Sequence, residues 1–229
     1  MLRQIPVTDE QTWQSLIPIP EVWTQIKNAT GKNPHSFLGM HHGPDKKGIV
    51  VRVYDPAAKE VVLQIGKEEY QMTDLHGEGL FMIWFPDAVE HFNYLLKRKY
   101  GQEIFIAEDP YHFLPSPGEM DLYLFNQGEH LQIYDVLGAR IRHYHDQTGV
   151  AFTVWAPNAE RVSVVGSFNC WDGRRHQMRL LGSSGIWEIF IPGVAAGDLY
   201  KFEVRMKNGN IVLKTDPCAK QMELRPGTA

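Results

Sequence analysis

One phrase occurs twice in this chain. Residues 53–64 read VYDPAAKEVVLQ and residues 154–165 read VWAPNAERVSVV. Setting Val53 on Val154, 101 residues on, also sets Tyr54 on Trp155, Pro56 on Pro157, Ala58 on Ala159, Val61 on Val162 and Gly48 on Gly149. Further along, Gly79, Pro86 and Tyr94 meet Gly185, Pro192 and Tyr200 at an offset of 106, and Asp109-Pro110 meets Asp216-Pro217 at 107. The second copy has therefore gained five residues between positions 164 and 185. A period near one hundred residues is too long for a solenoid unit and suits a whole small domain. The chain of 229 residues is accordingly expected to hold two domains in tandem, over 1–112 and 136–229, joined by a linker over 113–135.

Both copies carry the period of β-structure. In Leu199-Tyr200-Lys201-Phe202-Glu203-Val204-Arg205-Met206, apolar and polar residues alternate, which puts Tyr200, Phe202, Val204 and Met206 on one buried face and Lys201, Glu203 and Arg205 on the other. Asn208-Gly209 follows and suits a type I′ hairpin turn leading into 211–214. Strands are expected near 150–155, 161–165, 186–191, 199–206 and 211–214, with counterparts near 49–54, 60–65, 80–85 and 92–99. The fold class is all-β: two tandem immunoglobulin-like sandwiches. Short helices are expected at the N-terminus and in the linker. Thr8-Asp9-Glu10-Gln11 has capping-box spacing ahead of Trp13, Leu16 and Ile17, residues 21–29 follow Pro20 and precede Gly31, and residues 119–126 precede Gly128.

Composition narrows the function classes. A net charge of −4 with acids and bases interspersed offers no field for nucleic acid or an anionic membrane. The longest apolar run, Leu80 to Phe85, is far too short to span a bilayer, and residues 1–13 lack the layout of a secretion signal. With only Cys170 and Cys218, no disulfide framework is expected, and a reducing cytoplasm is the default. The sequon Asn28-Ala29-Thr30 is then a chance match. Gly31-Lys32 lacks the partners of a phosphate loop, and no Gly-x-Ser-x-Gly elbow occurs. His41-His42 and His143-Tyr144-His145 have no Cys or carboxylate at supporting spacing and read as surface-loop histidines, while His145-Asp146 is an isolated pair in a turn. No catalytic residue, metal or cofactor is expected in this chain.

What remains is the insertion. It coincides with Ser167-Phe168-Asn169-Cys170-Trp171-Asp172-Gly173-Arg174-Arg175-His176. Loops added to a rigid sandwich are where binding usually sits. A Trp ring offers a flat apolar face to the C–H side of a pyranose, and Asn, Asp, Lys and Arg bond the hydroxyls around it. The candidate sugar contacts are Trp171, Asp172, Arg174 and Asn169, with Lys201, which stands where the first copy has Leu95. The competing reading makes Trp171 and Phe168 core residues that close the end of the sandwich.

The stretches Phe152 to Ala159, Val164 to Asn169, Trp171 to His176, Gly185 to Pro192, Tyr200-Lys201-Phe202 and Lys214 to Pro217 resemble the amino-terminal modules of bacterial glycogen branching enzymes. The resemblance extends through Phe37 to His41, Asp109-Pro110-Tyr111 and Tyr134 to Ala139, nearly the whole chain. It implies a first β-sandwich, a glycogen-binding-type carbohydrate module, and then an α-amylase-type (β/α)₈ barrel with the catalytic Asp and Glu. It also implies a parent enzyme that cuts an α-1,4-glucan and rejoins the piece through an α-1,6 linkage, using a carboxylate nucleophile and a carboxyl acid/base. Partners implied are α-1,4-glucan or glycogen and the C-terminal catalytic barrel. The sequence ends at Leu224 to Ala229, where that barrel is expected to begin, so no residue here inherits a catalytic role. Gln177 stands where the family usually has Pro, and Cys218 where an aromatic is usual. A second Trp beside the hairpin, present in the tightly binding modules, is replaced by Ile211 and Val212, which argues for weak binding or for packing against the barrel. The alternatives are a stand-alone glycogen-binding regulatory module and an immunoglobulin-like adhesion module.

Overall fold

A computed structural model describes residues 2–3, 10–75, 77–144 and 147–223. The expected capping residues Thr8 and Asp9, the pair His145-Asp146 and the stretch from Leu224 onward lie outside these. The chain divides into two compact units, residues 1–28 with 35–112 and residues 29–34 with 113–229.

In the first unit the strands are β1 (Leu2–Arg3), β2 (Gly39–His42), β3 (Ile49–Tyr54), β4 (Glu60–Ile65), β5 (Glu68–Gln71), β6 (Thr73–Asp74), β7 (Leu80–Phe85), β8 (Leu95–Tyr100) and β9 (Glu103–Ala107). They form two sheets, ordered β2-β3-β7-β6 and β1-β5-β4-β8-β9. Val51, Val53, Phe81 and Ile83 of one sheet pack with Val61, Leu63 and Leu96 of the other as the core. The outer face of the first sheet is covered too. There Val50, Met82 and Trp84 pack against Leu16, with Trp13 and Ile17 beside it, so β3 and β7 are apolar on both faces and read as continuous apolar runs. Leu16 ends the helix α1 (Glu10–Leu16), and α2 (Pro20–Lys27) follows, opened by Pro20.

The second unit repeats the plan with β10 (Gly138–Tyr144), β11 (Gln147–Trp155), β12 (Ala159–Gly166), β13 (Arg179–Leu180), β14 (Ile186–Pro192), β15 (Tyr200–Met206) and β16 (Ile211–Lys214). The sheets are β10-β11-β14-β13 and β12-β15-β16. Phe152 lies opposite Ile189 and Val154 opposite Trp187, and Val164 lies opposite Phe202. All six are buried, and the Phe152 and Tyr200 rings meet edge to face at 4.8 Å. The whole is two β-sandwiches in tandem, as the period-two strands predict. The helix α3 (Glu119–Gln127) starts with Gly118 N donating to the Asp121 carboxylate at 2.9 Å and stops at Gly128, whose φ is 74°.

Several local expectations are corrected. The hairpin after β15 is not type I′: Gly209 alone has positive φ, its N–H donates to Met206 O at 2.8 Å, and Met206 N donates to Asn210 O at 2.8 Å. That is a three-residue connection with glycine in the left-handed position. Met206, at the end of the strand, is 44% exposed rather than buried. His41 and His42 lie in β2 and His143 in β10, not in loops. Residues 113–135, read from the sequence as the linker, group with the second unit. Phe113 packs on Ala151 and Phe190, and Arg179 Nη1 donates to Phe113 O at 2.9 Å.

Candidate functional site

The insertion forms the connection from β12 to β13. β12 ends at Gly166, a short 3₁₀ turn covers Ser167–Asn169, and Cys170 and Trp171 both take left-handed backbone with φ of 57° and 61°. Two consecutive non-glycine residues in that region are costly and persist only when neighbours hold them there. The holding residue is Asn169. Its side chain is fully buried, with Oδ1 accepting from Gly166 N at 2.9 Å and Nδ2 donating to Val164 O at 2.8 Å and to His176 Nδ1 at 2.9 Å. Trp171 N then donates to Gly166 O at 3.0 Å and closes the turn.

The two aromatic residues separate. The Phe168 ring stacks on the buried Phe152 ring, centroids 6.2 Å apart, and lies over Gly166, where a β-carbon would meet Phe168 Cε1 at 2.5 Å. Trp171 is 41% exposed. Of the pair, Phe168 joins the end of the core and Trp171 faces solvent.

The loop then lies down on the sheet. Gly173 is buried against the Glu203 carboxylate, so close that any β-carbon would collide with it. Glu203 Oε1 accepts from Arg161 Nη1 at 2.6 Å, which also donates to Ser163 Oγ at 2.9 Å, while Arg161 Nε donates to Ala29 O at 3.0 Å. Arg161 is 2% exposed, so its charge is tolerable only because these acceptors and the Glu203 carboxylate surround it. Asp172 and Arg174 pair at 2.7 Å, and Asp172 Oδ1 accepts Arg174 N at 2.9 Å. Burial pushes the Asp172 carboxyl up, but the Arg174 hydrogen bonds and charge outweigh it and leave it below the usual range.

Lys201 lies opposite Val165, and Glu203 opposite Ser163 and Leu213, on one face of the sheet. Gly166, which anchors Trp171, lies opposite Tyr200, the residue before Lys201. Trp171 and Lys201 are thus brought to the same end of the sheet. Ile211 and Leu213, 51% and 53% exposed, share the face of Arg205 and Glu203. Asp172 and Arg174 sit in the same loop but are already paired with each other. Asn169 differs from the other candidates in being fully buried, its side chain engaged in building the turn. Sequence reasoning missed Arg161 and Glu203 as the floor of the loop. The available signal was a pair of opposite charges at period-two positions, one in each of two apolar strands expected to be neighbours.

Elsewhere, His41 Nε2 donates to Leu38 O at 2.9 Å, and its burial lowers the ring's pKa. His143 Nδ1 bonds Thr148 Oγ1 at 2.9 Å. Among the described residues no group of three or more His, Cys, Asp and Glu side chains converges in a way that suits a metal ion, and no helix is long and apolar enough to cross a membrane.

Two family models match the chain, one in each half. Residues 20–111 match the family described as alpha-1,4-glucan branching enzyme GlgB, N-terminal domain. Residues 136–219 match carbohydrate-binding module 48, the isoamylase N-terminal domain. The 1,4-alpha-glucan branching enzyme GlgB of Myxococcus xanthus is 46% identical over 199 residues, covering 86% of this chain and 27% of that protein. The enzyme of the same name from Cellvibrio japonicus is 43% identical over 215 residues, covering 90% of this chain and 29% of that protein. The chain therefore spans less than a third of the length of these curated relatives. Among solved structures, the pullulanase of Anoxybacillus sp. LM18-11 aligns over 80% of this chain and 26% of that one, at 17% identity and a TM-score of 0.33.

Proposed function

Since the chain belongs to the GlgB branching-enzyme family, with that family's N-terminal domain over 20–111 and a family 48 carbohydrate-binding module over 136–219, we propose that its second unit holds α-1,4-glucan for a branching enzyme. The observation that carries this reading is Trp171: an indole held out at 41% exposure by a strained turn, at the end of the sheet where Lys201 stands. A stacked pyranose uses the ring face, and Lys201 donates to a hydroxyl at its rim. The Asp172–Arg174 pair supplies further polar edges, and Leu213 and Ile211 extend an apolar floor along the same face.

The chemistry of the whole protein is then transfer of a glucan piece from an α-1,4 to an α-1,6 linkage in the cytoplasm, with the catalytic barrel as the partner of these modules. No residue here is assigned a catalytic role. Retaining transfer needs two carboxyl groups about 5 Å apart in a cleft. The buried carboxylates are otherwise engaged: Asp109 with Tyr94 and Tyr111 N, Asp216 with Tyr200 and Cys218 N, Glu188 with Arg179 and Ser116, and Asp55 with Tyr100 and Ala58 N.

The test is affinity electrophoresis in glycogen gels. The chain is expected to be retarded, residues 113–229 with it, and Trp171→Ala and Lys201→Ala to run faster than the parent. Equal retardation of parent and Trp171→Ala overturns the reading. Incubation of residues 1–229 with amylose is expected to create no new α-1,6 linkages.

A further inference from the structure

The first unit has one edge guarded and one edge open. On one side of its larger sheet β1 pairs with β5, Leu2 opposite Glu69 and Arg3 opposite Tyr70. On the other side β9 is the last strand among the described residues. Its centre, Ile104-Phe105-Ile106, is 61%, 56% and 54% exposed. Edge strands are ordinarily blunted by a lysine, a proline or a bulge, and residues 103–107, Glu-Ile-Phe-Ile-Ala, contain no lysine or proline. Their pairing with β8 runs without a register shift.

The hydrogen-bond phase of this edge is fixed by its hairpin. Tyr100 lies opposite Glu103 across Gly101-Gln102, so these two residues close the turn and exchange bonds. Alternation then assigns the backbone groups of Glu103, Phe105 and Ala107 to β8, and leaves the N–H and C=O of Ile104 and Ile106 directed outward. The sequence around Phe105 is close to a palindrome: Gln102-Glu103-Ile104-Phe105-Ile106-Ala107-Glu108. Antiparallel pairing with an identical strand about a twofold axis at Phe105 sets Ile104 opposite Ile106, Glu103 opposite Ala107 and Gln102 opposite Glu108. No like charges face each other, and the facing pair Ile104 and Ile106 is the one whose backbone groups are free.

From this coincidence of phase, side chains and charge we infer that β9 is a self-association edge, pairing antiparallel with β9 of a second copy to continue the five-stranded sheet across a twofold axis. Such an interface is isologous, and each copy contributes the same patch. Its short length places it among weak, concentration-dependent contacts rather than obligate ones. The corresponding edge of the second unit is the poorer candidate. β16 ends in Lys214, and Ile211 and Leu213 belong to the face already assigned to sugar.

Cross-linking reads the register directly. In a non-hydrogen-bonded antiparallel pair the α-carbons are about 4.5 Å apart, within the span a disulfide bridges, about 4.4–6.8 Å. In a chain with Cys170 and Cys218 replaced by Ser, Phe105→Cys is expected to form a covalent dimer on mild oxidation, several-fold faster than Ile104→Cys, whose equivalents lie on opposite sides of the axis. Sedimentation of the unmodified chain over a hundredfold concentration range is expected to show a mass rising toward twice the monomer, and Phe105→Lys to stay monomeric with unchanged thermal unfolding. A single monomer mass at every concentration overturns the inference, as does equal cross-linking at positions 104 and 105. The readout contains no glucan, so it stands or falls apart from the sugar site.

Discussion

The two units share a frame and differ in what they hang on it. Gly39 and Gly138 both have φ of 91°, and a β-carbon on either would press a backbone oxygen, Tyr111 O at 2.8 Å and Cys218 O at 2.9 Å. Tyr94 donates to Asp109 at 2.8 Å in the first unit, and Tyr200 to Asp216 at 2.5 Å in the second. The other carboxylate oxygen of each Asp accepts the N–H two residues on, from Tyr111 and from Cys218. The repeat therefore keeps a clamp in which the Asp-Pro turn after the hairpin grips the strand before it and crosses the start of the domain. The copies part company where the chain leaves β4 in the first unit and β12 in the second. The first makes a tight hairpin through Gly66, φ 58°, into β5. The second spends its extra residues on the Asn169 turn and Trp171.

They differ also in how the outer sheet face is closed. The first unit uses α1, with Arg52 Nε and Nη2 donating to Leu16 O at 3.2 and 2.9 Å. The second uses the stretch from Phe113 to Ser116, gripped by Glu188, which accepts from Ser116 N at 3.2 Å and Ser116 Oγ at 3.0 Å and pairs with Arg179 at 2.8 Å. Glu188 is wholly buried. A helix that brings Trp13 and Leu16, with Ile17 just after it, closes its face by apolar burial with one cation assisting. A short irregular segment brings little area, so a buried ion pair fixes its position.

That contrast predicts its largest break at Glu188. Glu188→Ala removes one partner of a buried pair and strands the Arg179 charge, which costs about 3–5 kcal/mol. The loss should fall on the second unit alone. Hydrogen exchange resolved by segment is expected to show faster exchange in β11 and β14 with β3 and β7 unchanged. Equal loss in both units breaks the distinction between the two closures.

A smaller effect tests what the units share. Gly39→Ala and Gly138→Ala each force a β-carbon into a left-handed residue and onto a carbonyl oxygen, a strain of about 1–3 kcal/mol. The two variants should be destabilised alike, each in its own unit, as read from denaturant midpoints. A harmless change at one position and a damaging one at the other shows that the clamp is kept in sequence but not in energy.

Much of this frame was legible beforehand, because its elements repeat. Gly, Pro, Tyr and Asp recur at offsets of 101 to 107, and a glycine or an Asp-Pro retained twice marks a backbone constraint in each copy. Strands β3, β7, β12 and β15 were legible from apolar runs and alternation. β6, β9 and β13 were not, since short edge strands bury one side at most and β9 buries almost nothing. The insertion was legible as a place but not as a structure. Asn169 is a polar residue in a polar loop, and only the burial of its side chain and its three partners there mark it as a turn-builder. The same holds for Arg161, a charge that alternation alone assigns to solvent.

The smallest expected change in stability sharpens the comparison at the loop itself. Asn169→Ala leaves Gly166 N–H and Val164 C=O without their partner, at about 1–3 kcal/mol for buried groups, and lets Cys170 and Trp171 relax from left-handed backbone, so glucan retention should fall although the indole is still present. Phe168→Ala should also cost more than a surface change, because its ring closes over Phe152. Trp171→Ala, by contrast, truncates a side chain that solvent already reaches, and should move the unfolding free energy by less than about 1 kcal/mol while removing glycogen retardation. Unfolding curves and gel mobilities of the three variants, set side by side, decide whether exposure at Trp171 is functional. If Trp171→Ala unfolds as early as Phe168→Ala, the indole is core, and the second copy's extra residues serve packing rather than sugar. If stability holds and retention vanishes, the difference between the two copies is the binding function itself.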